Sequence, residues 1–246
     1  MKAWKKVLAV FVVVCAVFLI YSVINYRHDL NQAYVLLETF DVKTIDTSFG
    51  PMSFVESGSS QGEPVILIHG IFGGYDQASV SLNSLLSDEY YKIAPSRFGY
   101  PGTACPENPT PERQADQVIE LMDNLGINQT YIIGTSAGGP ATYQLALKYS
   151  HRVKGIVLLS TGAPYQRKTA AELDKELTGP PSFAINDPVM WTAMNYFGGL
   201  LQNMFGGDTL DRDLMVTILP VAPRRAGIIA DSEITNKDMS LTCIVQ

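Results

Sequence analysis

Between a β-branched run at Thr130–Ile133 and a helix-forming stretch at residues 137–149 the chain reads Gly134-Thr135-Ser136-Ala137-Gly138. A serine flanked by glycines at a strand-to-helix junction requires a sharp turn, because a Cβ at either glycine would run into the adjoining strand or helix. Such a turn holds the hydroxyl on a strained corner above a sheet. It also aims the N-terminus of the following helix, including the Ala137 N–H, at any oxyanion formed beside the serine. The plain alternative is a tight turn with an incidental serine.

The flanking sequence narrows the choice. Pro64-Val65-Ile66-Leu67-Ile68 and Val153–Leu159 are continuous apolar runs, as expected of strands buried on both faces, and Tyr91–Ala94 is a shorter one. Val42–Ile45 and Met52–Glu56 flank a Ser48-Phe49-Gly50-Pro51 turn and predict an opening hairpin. Thr110-Pro111-Glu112 supplies an N-cap, a proline at the first helical position and an acid in the first turn. The helix it opens carries Ala115, Val118, Ile119 and Met122 on one face and ends at Leu125-Gly126. Strands alternating with helices in this way predict an α/β fold with a mostly parallel sheet and helices on both faces.

Two further loops follow predicted strands. His69-Gly70-Ile71-Phe72-Gly73-Gly74 comes after residues 65–68, and Ser96 to Thr103 comes after residues 91–94. With the serine turn, three loops converge at the carboxyl ends of parallel strands, where open α/β sheets bind ligands. A glycine-rich His-Gly loop exposes backbone N–H groups, so Ile71 or Phe72 is a candidate to complete an oxyanion hole with Ala137.

The order HGIFGG, RFGYPGT, TPERQADQVIELMDNLGI, GTSAGGPA and HRVKGIVLLSTGAP resembles the α/β-hydrolase superfamily across residues 40–165. The resemblance implies Ser136 as nucleophile, Ala137 and Ile71 (Phe72 second) as oxyanion donors, and His69, Gly70, Gly134 and Gly138 as supporting residues. A serine at 136 disfavours the haloalkane dehalogenase and epoxide hydrolase branches, which use aspartate there, and leaves esterases, lipases, C–C bond hydrolases and acyltransferases open. The implied organisation is a core at 29–162, a helical cap at 163–235 and the start of a further core strand at 236–246. Within the cap, Asp187-Pro188 is expected to cap a helix whose Met190, Met194, Phe197, Leu201 and Met204 recur at helical spacing. Most of that stripe is expected to pack the cap onto the core.

The superfamily's partners for the serine follow it in the order acid, then histidine. This chain has three histidines, His28, His69 and His151. His151 falls at the far end of the helix that begins at Ser136, about 22 Å away at helical rise. His69 is expected to shape the oxyanion loop and His28 to border the N-terminal segment. Glu172, Asp187, Asp211 and Asp231 lie in or after the cap with no spacing that nominates an acid. The sequence therefore reads as a hydrolase with an incomplete triad, truncated at its C-terminus, or as a hydrolase-like domain that binds without turnover.

Residues 7–24 form an uncharged run of eighteen residues preceded by Lys2, Lys5 and Lys6. Its helical length of about 27 Å nearly matches a bilayer core. We expect an uncleaved anchor with residues 1–28 as its unit, its N-terminus cytoplasmic and the body on the other side. A cleaved signal peptide, its site weakly imitated by Val14-Cys15-Ala16, is the alternative. Residues 1–28 carry +4, which leaves −10 on residues 29–246. An acidic body argues against nucleic acid as a partner. The expected partners are the membrane and a small acyl or ester substrate. Metal and nucleotide motifs such as HExxH, paired CxxC and GxGxxG do not occur, so no cofactor is expected. Any pairing of Cys105 with Cys243 is not readable from spacing.

Overall fold

The computed structural model describes residues 2–161, 179–198 and 217–235. Helix α1 (Lys2–Glu38) is followed by strands β1 (Val42–Thr47) and β2 (Gly50–Gly58), which pair antiparallel as the expected hairpin. Then come β3 (Pro64–Ile68), α2 (Tyr75–Leu85), β4 (Tyr91–Pro95), α3 (Pro111–Asn124), β5 (Thr130–Thr135), α4 (Gly139–Lys148) and β6 (Val153–Leu159). Beyond β6 lie α5 (Asp187–Tyr196) and α6 (Arg225–Ala230), the latter running into a wider helical turn at Asp231–Thr235.

The sheet order is β1-β2-β4-β3-β5-β6. The pairs β4–β3, β3–β5 and β5–β6 are parallel, while β2 joins β4 antiparallel. The sheet is mixed, with a parallel part of four strands carrying the three loops. From β3 the chain goes to β4 on one side and then crosses to β5 on the other. The order thus reverses at β3, which opens a crevice at that strand's carboxyl end.

Local signals account for most elements. Thr110 caps α3 by accepting from the Arg113 N–H, Pro111 opens the helix, and Gly126 ends it at φ 68°. Its Ala115, Val118, Ile119 and Met122 are buried against Ile66, Ile93 and Ile132, which lie within the sheet. Each fully buried side chain of this size contributes roughly 1.5–3 kcal/mol of transfer free energy. Among the described strands β6 stands at the sheet edge, with Val157 49% exposed.

One expectation about the segment after β6 is corrected. Asn186, not Asp187, caps α5, its side chain accepting from the Val189 N–H at 3.1 Å. Asp187 is instead the first helical residue, and its carboxylate accepts the Val221 N–H. Phe197 does not join the packed stripe, for it is exposed while Met190 is buried and Met194 packs beside it. The helix ends at Tyr196, so the spacing that put Phe197 on the stripe no longer applies. Leu201, Met204, Glu172, Asp211 and Cys243 lie outside the described residues.

Candidate active site

The register of the sheet sets the site. Ile68 of β3 stands opposite Gly134 of β5, so His69-Gly70 and Thr135-Ser136 leave the sheet side by side. Ser136 sits at φ 50°, in the left-handed region that a residue with a Cβ rarely adopts. Both flanking glycines are sterically required. A Cβ at Gly134 would lie 2.3 Å from Thr142 Oγ1 on α4, and one at Gly138 would lie 2.2 Å from the Ile68 carbonyl oxygen. The turn is therefore pinned to the helix on one side and to β3 on the other. Ser136 is half-buried.

Gly70 backs directly onto the serine. A Cβ there would lie 3.1 Å from Ser136 Cβ and 3.7 Å from its Oγ. Phe72, in the same loop, also has a positive φ, 63°. Its backbone hydrogen-bonds the Tyr100 hydroxyl and its carbonyl accepts from Arg224 Nε at 2.9 Å. The loop conformation is thus held from outside by two side chains.

His69 is completely buried, with both ring nitrogens engaged. Nε2 lies 3.0 Å from the Arg97 N–H and must accept from it. Nδ1, 2.7 Å from the Gly70 carbonyl, must then carry the proton and donate. The imidazole is fixed as one neutral tautomer that ties the loop after β3 to the loop after β4. Burial, reinforced by the Arg97 guanidinium, holds its pKa well below 6.5. The unfolded chain therefore binds a proton here that the folded chain refuses, and stability falls as pH drops below about 6.5. For the detergent-solubilised protein we expect denaturant unfolding at pH 5.5 to give about 1.3 kcal/mol less stability than at pH 7. Equal or greater stability at pH 5.5 would show that His69 is not held neutral.

His151 occupies a helical turn before β6, at the strand's amino end and exposed, away from Ser136. His28 lies on α1. Of the expected site residues, the structure sets Gly70 directly against Ser136, while both nitrogens of His69 are committed to backbone groups of the loops after β3 and β4.

A buried polar cluster was not foreseen. Arg97 forms a two-pronged ion pair with Asp231, from Nη1 to Oδ1 at 2.7 Å and from Nη2 to Oδ2 at 2.5 Å. The Tyr100 hydroxyl donates to the same carboxylate, and the Tyr100 ring meets the His69 ring edge-on at 4.6 Å. Burial and the Asp231 charge raise the Tyr100 pKa well above 10, so its hydroxyl remains a donor. Close by, Arg224 is fully buried and pairs with Asp76 while also donating to the Pro220 carbonyl. Gly227 approaches the loop after β4 closely enough to donate to the Gly99 carbonyl at 2.9 Å. Residues 217–235 therefore grip both loops that flank Ser136. No local sequence pattern marks these pairs, whose members stand 134 and 148 residues apart.

Comparison with known proteins agrees with this geometry. Residues 63–213 match the family described as alpha/beta hydrolase fold. The Bacillus subtilis (strain 168) protein named uncharacterized carboxylesterase nap is 30% identical over 138 residues, covering 55% of this chain and 45% of that protein. Lipase 3 of Moraxella sp. (strain TA144) is 30% identical over 125 residues, covering 49% of this chain and 39% of that one. The chain thus spans less than half the length of these curated relatives. A solved alpha/beta hydrolase fold protein from Nakamurella multipartita superposes with a TM-score of 0.56 at 24% identity, covering 80% of this chain and 75% of that one. With the matched region running through more than half of its residues, this chain belongs to the α/β-hydrolase fold family.

Proposed function

We propose that this chain is a membrane-anchored hydrolase domain of the serine type, built to act on small or apolar ester or acyl substrates through Ser136. The observation that carries the reading is the serine's placement at φ 50° on a strand–helix corner, between two obligatory glycines and against Gly70. The carboxylesterase and lipase names of the relatives support an ester-type substrate. In the proposed reaction Ser136 Oγ attacks the acyl carbon as a base takes its proton. The carbonyl oxygen becomes an oxyanion held by the N–H groups of Ala137 and Ile71, and the alcohol leaves from an acyl-enzyme that water then hydrolyses. Ile71 is preferred to Phe72 as second donor because the Phe72 backbone is already engaged with Tyr100. The N-terminal residues 7–24 are read as a single span with the lysines on the cytoplasmic side and the body on the other.

The base is the weak point of this chemistry, since His69 has both nitrogens committed and neither other histidine is near the serine. That observation supports a second reading, in which the domain binds an acyl ligand without turnover. A small base supplied from solution separates them. With p-nitrophenyl butyrate, the 246-residue chain is expected to match Ser136→Ala in plain buffer. Added imidazole is expected to raise turnover at least ~10-fold above the same mixture containing Ser136→Ala, a fraction of what positioned bases deliver. If imidazole produces no Ser136-dependent turnover, the binding-domain reading holds.

A further inference from the structure

Helix α1 does not end with the apolar run. It continues unbroken to Glu38 and packs its later turns on the body, where Ala33 is buried in one cluster with Phe72, Tyr100 and Trp191. The contact begins earlier in the helix than that. The Phe18 ring lies 5.6 Å from the Tyr196 ring at the end of α5, and the Tyr196 hydroxyl is 2.9 Å from Ser22 Oγ. Ser22 already donates to the Phe18 carbonyl, so Tyr196 is the donor in this bond. Tyr196 in turn meets Trp191 at 5.7 Å, Trp191 meets Tyr26 at 5.8 Å, and Trp191 Nε1 donates to Asp29 at 2.8 Å. A continuous run of ring contacts leads from the apolar stretch into α5.

The position of this contact along α1 is informative. Ser22 and Phe18 stand two and six residues inside the end of the apolar run at Ile24, or roughly 3 and 9 Å at helical rise. Interfacial helices bury their apolar faces to a similar depth, about 5–10 Å, and Trp and Tyr favour that layer. No charged residue stands between Asp187 and Asp208. Tyr196 and Phe197, at the tip, are 41% and 58% exposed.

We propose that the C-terminal end of α5, led by Tyr196 and Phe197, is a second membrane contact, seated in the lipid interface of the leaflet from which α1 emerges. The proposal rests on residues 7–24 spanning the bilayer, and it makes α5 part of the membrane-facing surface. At helical rise, Ala33 beside the Phe72 loop lies only about 14 Å beyond Ile24.

Single cysteines test it in the full chain, with the three native cysteines changed to alanine. Val14→Cys, Phe197→Cys and Ser87→Cys, the last on an exposed turn before β4, each carry a nitrobenzoxadiazole dye in phosphatidylcholine vesicles. The expected result is that lipids bearing a nitroxide near the headgroup quench position 197 several-fold more than position 87, while aqueous iodide quenches position 87 preferentially. Position 14 is expected to be shielded from iodide throughout. If position 14 is shielded but position 197 behaves like position 87, the second contact is overturned and the span stands. If position 14 is as open to iodide as position 87, the span fails and the second contact fails with it.

Discussion

Replacing Arg224 with methionine is expected to lower stability by about 3–5 kcal/mol, the usual cost of removing one partner from a buried ion pair. For a body of this size that corresponds to a fall in Tm of roughly 6–20 °C. The size of the effect follows from what would be stranded. Arg224 is fully buried, and without it the Asp76 carboxylate, already pushed above its ordinary pKa by burial, loses its counter-charge. The Arg224 hydrogen bonds to the carbonyls of Phe72 and Pro220 go too. The Phe72 loss reaches the loop after β3, because one of the two side chains that hold a residue at φ 63° is then gone. The double variant Arg224→Met with Asp76→Leu is expected to recover much of the loss, since apolar replacement of a whole buried pair is often close to neutral. Thermal unfolding of the three proteins checks this. A single variant melting within about 2 °C of the parent would show that residues 217–235 are not held to the loop after β3 through this pair.

The sheet and the serine turn were legible in the sequence because each is specified locally. The run Pro64–Ile68 is apolar throughout and is β3, and the Thr110-Pro111 cap and Gly126 stop bound α3. Helix α2 gave no comparable signal. Its buried Tyr75, Ala78 and Leu82 are interleaved with Asp76, Gln77 and Ser79, which are also buried, so the apolar stripe is broken. Asp76 belongs inside only because Arg224 meets it there. No spacing in the sequence nominates Asp231. Its place depends on Arg97 and Tyr100, which the fold delivers from another part of the chain. The full extent of α1 is likewise not legible, because the hydropathy run ends at Ile24 whereas the later turns of the helix are set by packing on the body. Sequence patterns here report local geometry and burial, and miss polar partners joined across long loops.

The proposed function makes Ser136 a nucleophile in a site to which none of the three histidines, all among the described residues, comes as a base. It is tested most directly by treating the 246-residue protein and Ser136→Ala with a fluorophosphonate and reading the adduct by intact mass and peptide mapping. A serine without a base is a poor nucleophile, whereas a positioned base speeds such attack by about 10²–10⁴-fold. In plain buffer near neutral pH the two proteins are expected to be equally unreactive. With added imidazole the parent alone is expected to gain one adduct, mapped to Ser136. Rapid stoichiometric labelling of Ser136 without imidazole would contradict the missing base, and an imidazole-dependent adduct on any other residue would contradict Ser136 as the nucleophile.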